Sequence, residues 1–292
     1  MPGSKRTSML VETDWLAEHL SDTHLRVIDI RGTILPATKP PPWYSASHDA
    51  YNKAHIPGAV FVDWLQDIMD PSAPIKATAA SPETFASLMS RLGISNSHTV
   101  VVYDDDGSHI AARLWWLLHH YGHKDVRILN GGWTKWEAEN HPVTSEAPKH
   151  PTTTYHVKLS SGWKSTTDDV LAAIGQPDTI LVDCRGVGMF RGESTRGNQK
   201  GRIPGAVHVP ISSLVEGPHQ TWRSNEELEA LFRDAGVGDE QTVITYCNAG
   251  VSASVGLFAL RMLGRTQDTN YDGSWYEWES DPERPIERDT HE

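Results

Sequence analysis

Short β-branched and apolar runs alternate along this chain with longer stretches of helical spacing. Residues 26–30, 99–103, 126–129, 179–184, 243–246 and 266–271 read as buried strands. Residues 13–20, 82–92, 166–174, 225–235 and 253–262 read as helices, and a further helix ends near Gly122. Thr13 and Thr166, each followed by Asp, suit the helix starts. Strands alternating with helices predict an α/β fold: a mainly parallel sheet with helices on both faces. In such sheets ligands bind beyond the carboxyl ends of the strands.

The pattern occurs twice. Val27-Ile-Asp29-Ile-Arg31 matches Leu181-Val-Asp183-Cys-Arg185, and His55-Ile-Pro-Gly-Ala-Val60 matches Arg202-Ile-Pro-Gly-Ala-Val207. Thr99-Val-Val-Val-Tyr-Asp104 matches Thr242-Val-Ile-Thr-Tyr-Cys247, and Gly131-Gly-Trp133 matches Gly273-Ser-Trp275. These landmarks lie 154, 147, 143 and 142 residues apart, in one order. Chance does not produce that, so the chain is a tandem duplication of one α/β unit. The expected domains are residues 1–145 and 155–292. The Pro-, Thr- and His-rich segment 140–154 reads as an exposed linker.

Composition narrows the class. A chain of 292 residues holds two ordinary domains. Its net charge of −12 argues against a nucleic-acid partner. Two cysteines argue against a disulfide framework and for a reducing compartment. No apolar run reaches membrane-spanning length, and no apolar stretch follows the first residues. A cytoplasmic protein is expected; a mitochondrial address has little in the sequence to support it. The fifteen histidines show no spacing that suits a metal.

The chemistry points to Cys247. It ends a predicted strand and opens the loop Cys247-Asn248-Ala249-Gly250-Val251-Ser252, ahead of the helix that Ala253 begins. Loop amides and a helix N-terminus favour an anion there without any charged side chain. A thiol so placed is a nucleophile near neutral pH. Asp104 stands at the same place in the first repeat, so one copy is competent and the other inert. A cysteine phosphatase would need an arginine six residues after the cysteine; Ala253 is there instead.

With these residues in view the chain resembles the two-domain rhodanese-like sulfurtransferases, which include thiosulfate and 3-mercaptopyruvate sulfurtransferases. The resemblance is carried by both Asp-x-Arg pairs, both Ile-Pro-Gly-Ala turns, the Cys247 loop and Tyr271-Asp-Gly-Ser-Trp-Tyr-Glu-Trp278. It implies that Cys247 takes a sulfur from a small anionic donor, holds it as a persulfide and passes it to cyanide, a thiol or thioredoxin. It implies amides from Asn248 to Ala253 around the sulfur, and neither cofactor nor metal. Arg196 best matches a family substrate arginine, with Arg191 second. His55 matches a family histidine that reaches the site across the domain interface. Arg185 and Arg202 read instead as parts of internal ion pairs and turns, and Cys184 as structural.

Departures leave the donor open. Mercaptopyruvate-type members carry a serine where this chain has Ala249, and an arginine where it has Met189. Thiosulfate-type members carry Arg or Lys directly after the cysteine, where Asn248 stands. A persulfide carrier or regulatory module with little turnover is the alternative reading.

Overall fold

The computed structural model describes residues 2–289. Its frame is two five-stranded sheets of one topology. The first holds β1 (Leu10–Val11), β2 (Leu25–Asp29), β3 (Ala59–Phe61), β4 (Thr99–Tyr103) and β5 (Val126–Leu129). The second holds β6 (Lys164–Ser165), β7 (Thr179–Asp183), β8 (Val207–His208), β9 (Thr242–Tyr246) and β10 (Thr269–Tyr271). The first runs β1-β5-β4-β2-β3 and the second β6-β10-β9-β7-β8, every pairing parallel. The duplication in the sequence is therefore a duplication of topology, with β4 and β9 at the two centres.

Local chemistry sets the element ends. Ser224 and Thr166 cap their helices through full capping boxes with Glu227 and Asp169. Ser81 caps the helix Pro82–Arg91, which also starts with proline. Glu12 precedes Thr13–His19 and makes no side-chain cap, unlike the threonine start expected there. The last strand begins at Thr269, three residues late. Asp268 turns out of the ladder, pairs with Arg265 at 2.8 Å and accepts the amide of Val243 at 2.9 Å. The two-residue edge strands β1 and β6 are too short to leave a periodic signal. Residues Pro2–Met9 form a helix, where the sequence analysis named no element. Its Arg6 donates to the carbonyls of Trp222 and Arg223, tying the first segment to the second half.

The halves share a core. One apolar cluster runs from Ile28, Val100 and Trp115 in the first to Val182, Val243 and Phe258 in the second. Two smaller clusters, around Trp136 and Trp275, cover the outer faces. The helices Ala111–His120 and Val251–Met262 meet at the centre, where Trp115 and Phe258 pack edge to face at 4.9 Å. Segment 140–154 is not a free linker. His55 and Thr144 exchange backbone bonds, the amide of Thr153 donates to Ser90, and Tyr155 is buried. The connection is strapped along the first half.

Candidate active site

Cys247 directly follows β9, and the loop it opens runs into the N-terminus of the helix Val251–Met262. Gly250 caps that helix at φ +70°, where a side chain would strike Asp272 and Arg113. Ser274 fixes the loop. Its Oγ accepts the amides of Cys247 at 3.1 Å and Gly250 at 3.0 Å, and its hydroxyl donates to Tyr271 at 2.7 Å. The Trp275 and Tyr276 amides hold the Cys247 and Asn248 carbonyls, each at 3.0 Å. Because Gly250 donates to Ser274, its amide is not among those free to face a sulfur anion. That corrects one member of the expected set, for the turn at φ +70° aims it elsewhere.

The first half displays what such a loop holds. The carboxylate of Asp104 accepts the amides of Asp106, Ser108, Ile110 and Ala111 at 2.8–3.2 Å. Burial raises this carboxyl, and the amide bonds pull it back. The Asp104 loop is thus an anion cradle filled by its own side chain. In the second half Ala249, Val251, Ala253 and Ser254 stand at the matching places.

Cys247, Asn248, Ala249, Val251 and Ser252 line a cavity of about 300 Å3 between the halves. The first half supplies its opposite wall, including Ile34, Tyr44, Trp64 and Met69. Ile34 and Tyr44 come from the hairpin Gly32–Ile34/Tyr44–Ala46, whose three-residue strands are too short to leave a periodic signal. Tyr276 lines the cavity too, its hydroxyl 3.3 Å from that of Tyr44 and its phenol raised by burial.

Arg196 is in the cavity wall. It donates to the Tyr44 hydroxyl at 3.1 Å and to the Leu35 carbonyl, crossing between the halves. Its Nε is buried without a partner. Among the described residues no carboxylate pairs with it, unlike Arg185, Arg202, Arg223 or Arg265. Lys76 joins it at the rim, its ammonium 5.6 Å from the Tyr276 ring centre. Lys76 lies in a loop with no counterpart landmark in the other repeat, so the sequence carried no signal for it.

Two expected residues are elsewhere. His55 is buried, its Nδ1 2.8 Å from the Tyr51 carbonyl and its Nε2 3.2 Å from that of Glu146. Both ring nitrogens face backbone carbonyls, of the first half and of the connection after it, and His55 is not in the cavity wall. Arg191 is exposed at the end of the short helix Val187–Phe190 and is not in the cavity wall. Arg185 pairs with Asp183 at 2.6 Å, as Arg31 does with Asp29 at 2.8 Å, and each lies over a tryptophan ring. Arg202 pairs with Glu287 and Asp289. Cys184 is buried against Gly256, where an added Cβ would come within 2.7 Å of its sulfur; burial raises its thiol. Met189 sits under the loop, its sulfur accepting from the side-chain Nδ2 of Asn248 at 3.6 Å. No His, Cys, Asp and Glu cluster suited to a metal occurs among the described residues.

A sequence model of the rhodanese-like domain matches residues 12–139 and 166–281. The chain is 37% identical to the sulfur carrier protein TtuD of Thermus thermophilus, covering 94% of this chain and 95% of that one. It is 35% identical to the thiosulfate sulfurtransferase of Gallus gallus, covering 92% of each. The solved structure of SseA from Escherichia coli, a 3-mercaptopyruvate sulfotransferase, superposes with a TM-score of 0.82 at 32% identity. That match covers 92% of this chain and 99% of SseA. The chain belongs to the rhodanese-like family, as two tandem domains of that fold.

Proposed function

We propose that this protein is a sulfurtransferase that works by double displacement. The Cys247 thiolate attacks the outer sulfur of thiosulfate or the thiol sulfur of 3-mercaptopyruvate and retains it as a persulfide. A thiol, cyanide or a reduced thioredoxin-type dithiol then removes it. The observation that carries this reading is the pair of matched loops. One cradles the Asp104 carboxylate with four amides, and Cys247 stands at its place in the other. Arg196, free of any carboxylate, is the docking cation for the donor. Lys76 adds a second positive charge at the mouth. Relatives named for thiosulfate and for 3-mercaptopyruvate support both donors.

Two free cysteines, no disulfide and no helix long and apolar enough to cross a membrane among the described residues support the cytoplasm as its compartment. The test is turnover: kcat/KM with each donor against cyanide and a small thiol, with C247S as control. Activity with at least one donor, abolished in the variant, is the expected result. Activity retained in C247S defeats the assignment.

A further inference from the structure

The two loops touch at equivalent positions. His109 lies five residues after Asp104, and Ser252 lies five residues after Cys247. Across the domain boundary His109 Nε2 is 2.7 Å from Ser252 Oγ. On its other side His109 Nδ1 is 3.3 Å from Asp106 Oδ2. The histidine is 9% exposed, and Ser252 lines the cavity beside Cys247. The inert repeat thus delivers an imidazole, backed by a carboxylate, to a hydroxyl in the working loop.

The proposed reaction has a use for such a group with one donor only. When Cys247 attacks mercaptopyruvate, a sulfur–sulfur bond forms and the carbon–sulfur bond breaks. The electron pair of that bond stays on the methylene carbon as an enolate, which must gain one proton to leave as pyruvate. When Cys247 attacks thiosulfate, the pair leaves on sulfite, which is stable as a dianion and needs no proton.

Other groups in the cavity are poorer sources. Hydrogen bonds from Ser72 hold the Asp70 carboxyl below its usual range, so it is ionised. Burial raises the Tyr276 phenol, making it a weaker acid. Lys76 is exposed at the rim. The Ser252 hydroxyl contacts an imidazole that is itself paired with a carboxylate. Asp106 accepts from Nδ1–H and so holds the ring with Nε2 toward Ser252. Its own carboxyl is lowered first of all by that bond.

We infer that Asp106, His109 and Ser252 form a proton relay that protonates the departing enolate of a 2-oxo thiol donor. In it His109 is a positioning and proton-supplying residue acting through Ser252. A protonated His109 donates to Ser252 Oγ, and the serine hydroxyl passes its own proton to the carbon. Solvent then reprotonates the imidazole. This rests on the sulfurtransferase reading, which the thiosulfate half-reaction tests separately.

The experiment compares kcat for mercaptopyruvate with kcat for thiosulfate in wild type, H109Q, S252A, S252T and the H109Q/S252A pair. Glutamine keeps a hydrogen bond to Ser252 across the boundary but cannot relay a proton. The expected result is a fall of tenfold or more in the mercaptopyruvate-to-thiosulfate ratio for H109Q and S252A. S252T, which keeps the hydroxyl, should hold the wild-type ratio, and the double variant should be no worse than either single. Equal slowing of both donors in H109Q would reduce the contact to domain glue and overturn the relay. So would an unchanged ratio, or S252T behaving as S252A does. A wild type inactive with both donors overturns the function reading and the relay with it.

Discussion

Arg113, on the central helix of the first half, lies 2.6 Å from Asp272 in the turn that carries Ser274. Both side chains are fully buried, and the guanidinium also approaches the Gly250 carbonyl at 3.4 Å. Lys164 holds the other Asp272 oxygen at 3.0 Å. This pair joins the halves directly behind the cysteine loop. Removing one partner of a buried ion pair costs up to about 3–5 kcal/mol, and Lys164, which stays on Asp272, offsets part of that. R113M is expected to lose stability on that scale in urea titration, with activity falling alongside as the loop loosens. R113M/D272N should recover part of the loss.

The same pair sets an acid limit. Burial alone would raise the Asp272 carboxyl, but Arg113 and Lys164 outweigh it and hold it below its usual value. Unfolded, that carboxyl binds its proton at higher pH than it does when folded. Its contribution is therefore fully present above the unfolded carboxylate range and is lost as pH falls through the lower folded value. Stability curves of wild type and R113M from pH 7 down to 2 should converge in acid. Parallel curves would show that the ion pair contributes nothing.

Ser274 carries two consequences that separate. It sits at φ +50° and serves as the acceptor for two loop amides. S274A leaves both amides unpaired and keeps the backbone strain, so a loss of roughly 1–3 kcal/mol is expected. S274G relieves the strain but still lacks the hydroxyl. The glycine variant should thus be the more stable of the two, yet both should turn over at least tenfold more slowly. A glycine variant with wild-type kcat would mean that the hydroxyl does not order the loop.

Arg196 and Lys76 should differ in kind. Arg196 is partly buried, tied to Tyr44 and free of carboxylates, and its contact with a donor anion is charge-assisted. R196A is expected to raise KM for either donor about ten- to a hundredfold, with a smaller change in kcat. Lys76 is exposed, so K76A should raise KM by only about two- to fivefold, an effect that 0.5 M salt removes. An R196A enzyme with unchanged KM would take Arg196 out of donor binding.

Much of this was legible in the sequence because the chain contains its own comparison. The landmarks fix the topology twice, and Asp104 opposite Cys247 sets the two copies apart. The Asp-x-Arg pairs read correctly as ion pairs for the same reason, since both copies have them. Residues that act between the copies carried no such signal. Tyr44, Lys76, His109 and Arg113 gain their meaning only from where the second half packs. His55 misled because a matching turn does not fix a side chain's direction, and here both ring nitrogens face backbone carbonyls. Arg191 and Arg196 are equally charged in sequence, but the helix end turns Arg191 outward while the next loop turns Arg196 in.

The sulfur itself gives the most direct test. Intact-mass analysis after treatment with thiosulfate or mercaptopyruvate, without acceptor, should show one added sulfur per wild-type chain. Peptide mapping should locate it on Cys247, and cyanide should remove it. C184S should take up sulfur as wild type does, and C247S should take up none. A sulfur that appears on Cys184 and is discharged by cyanide, or any adduct on C247S that turns over, would contradict the account.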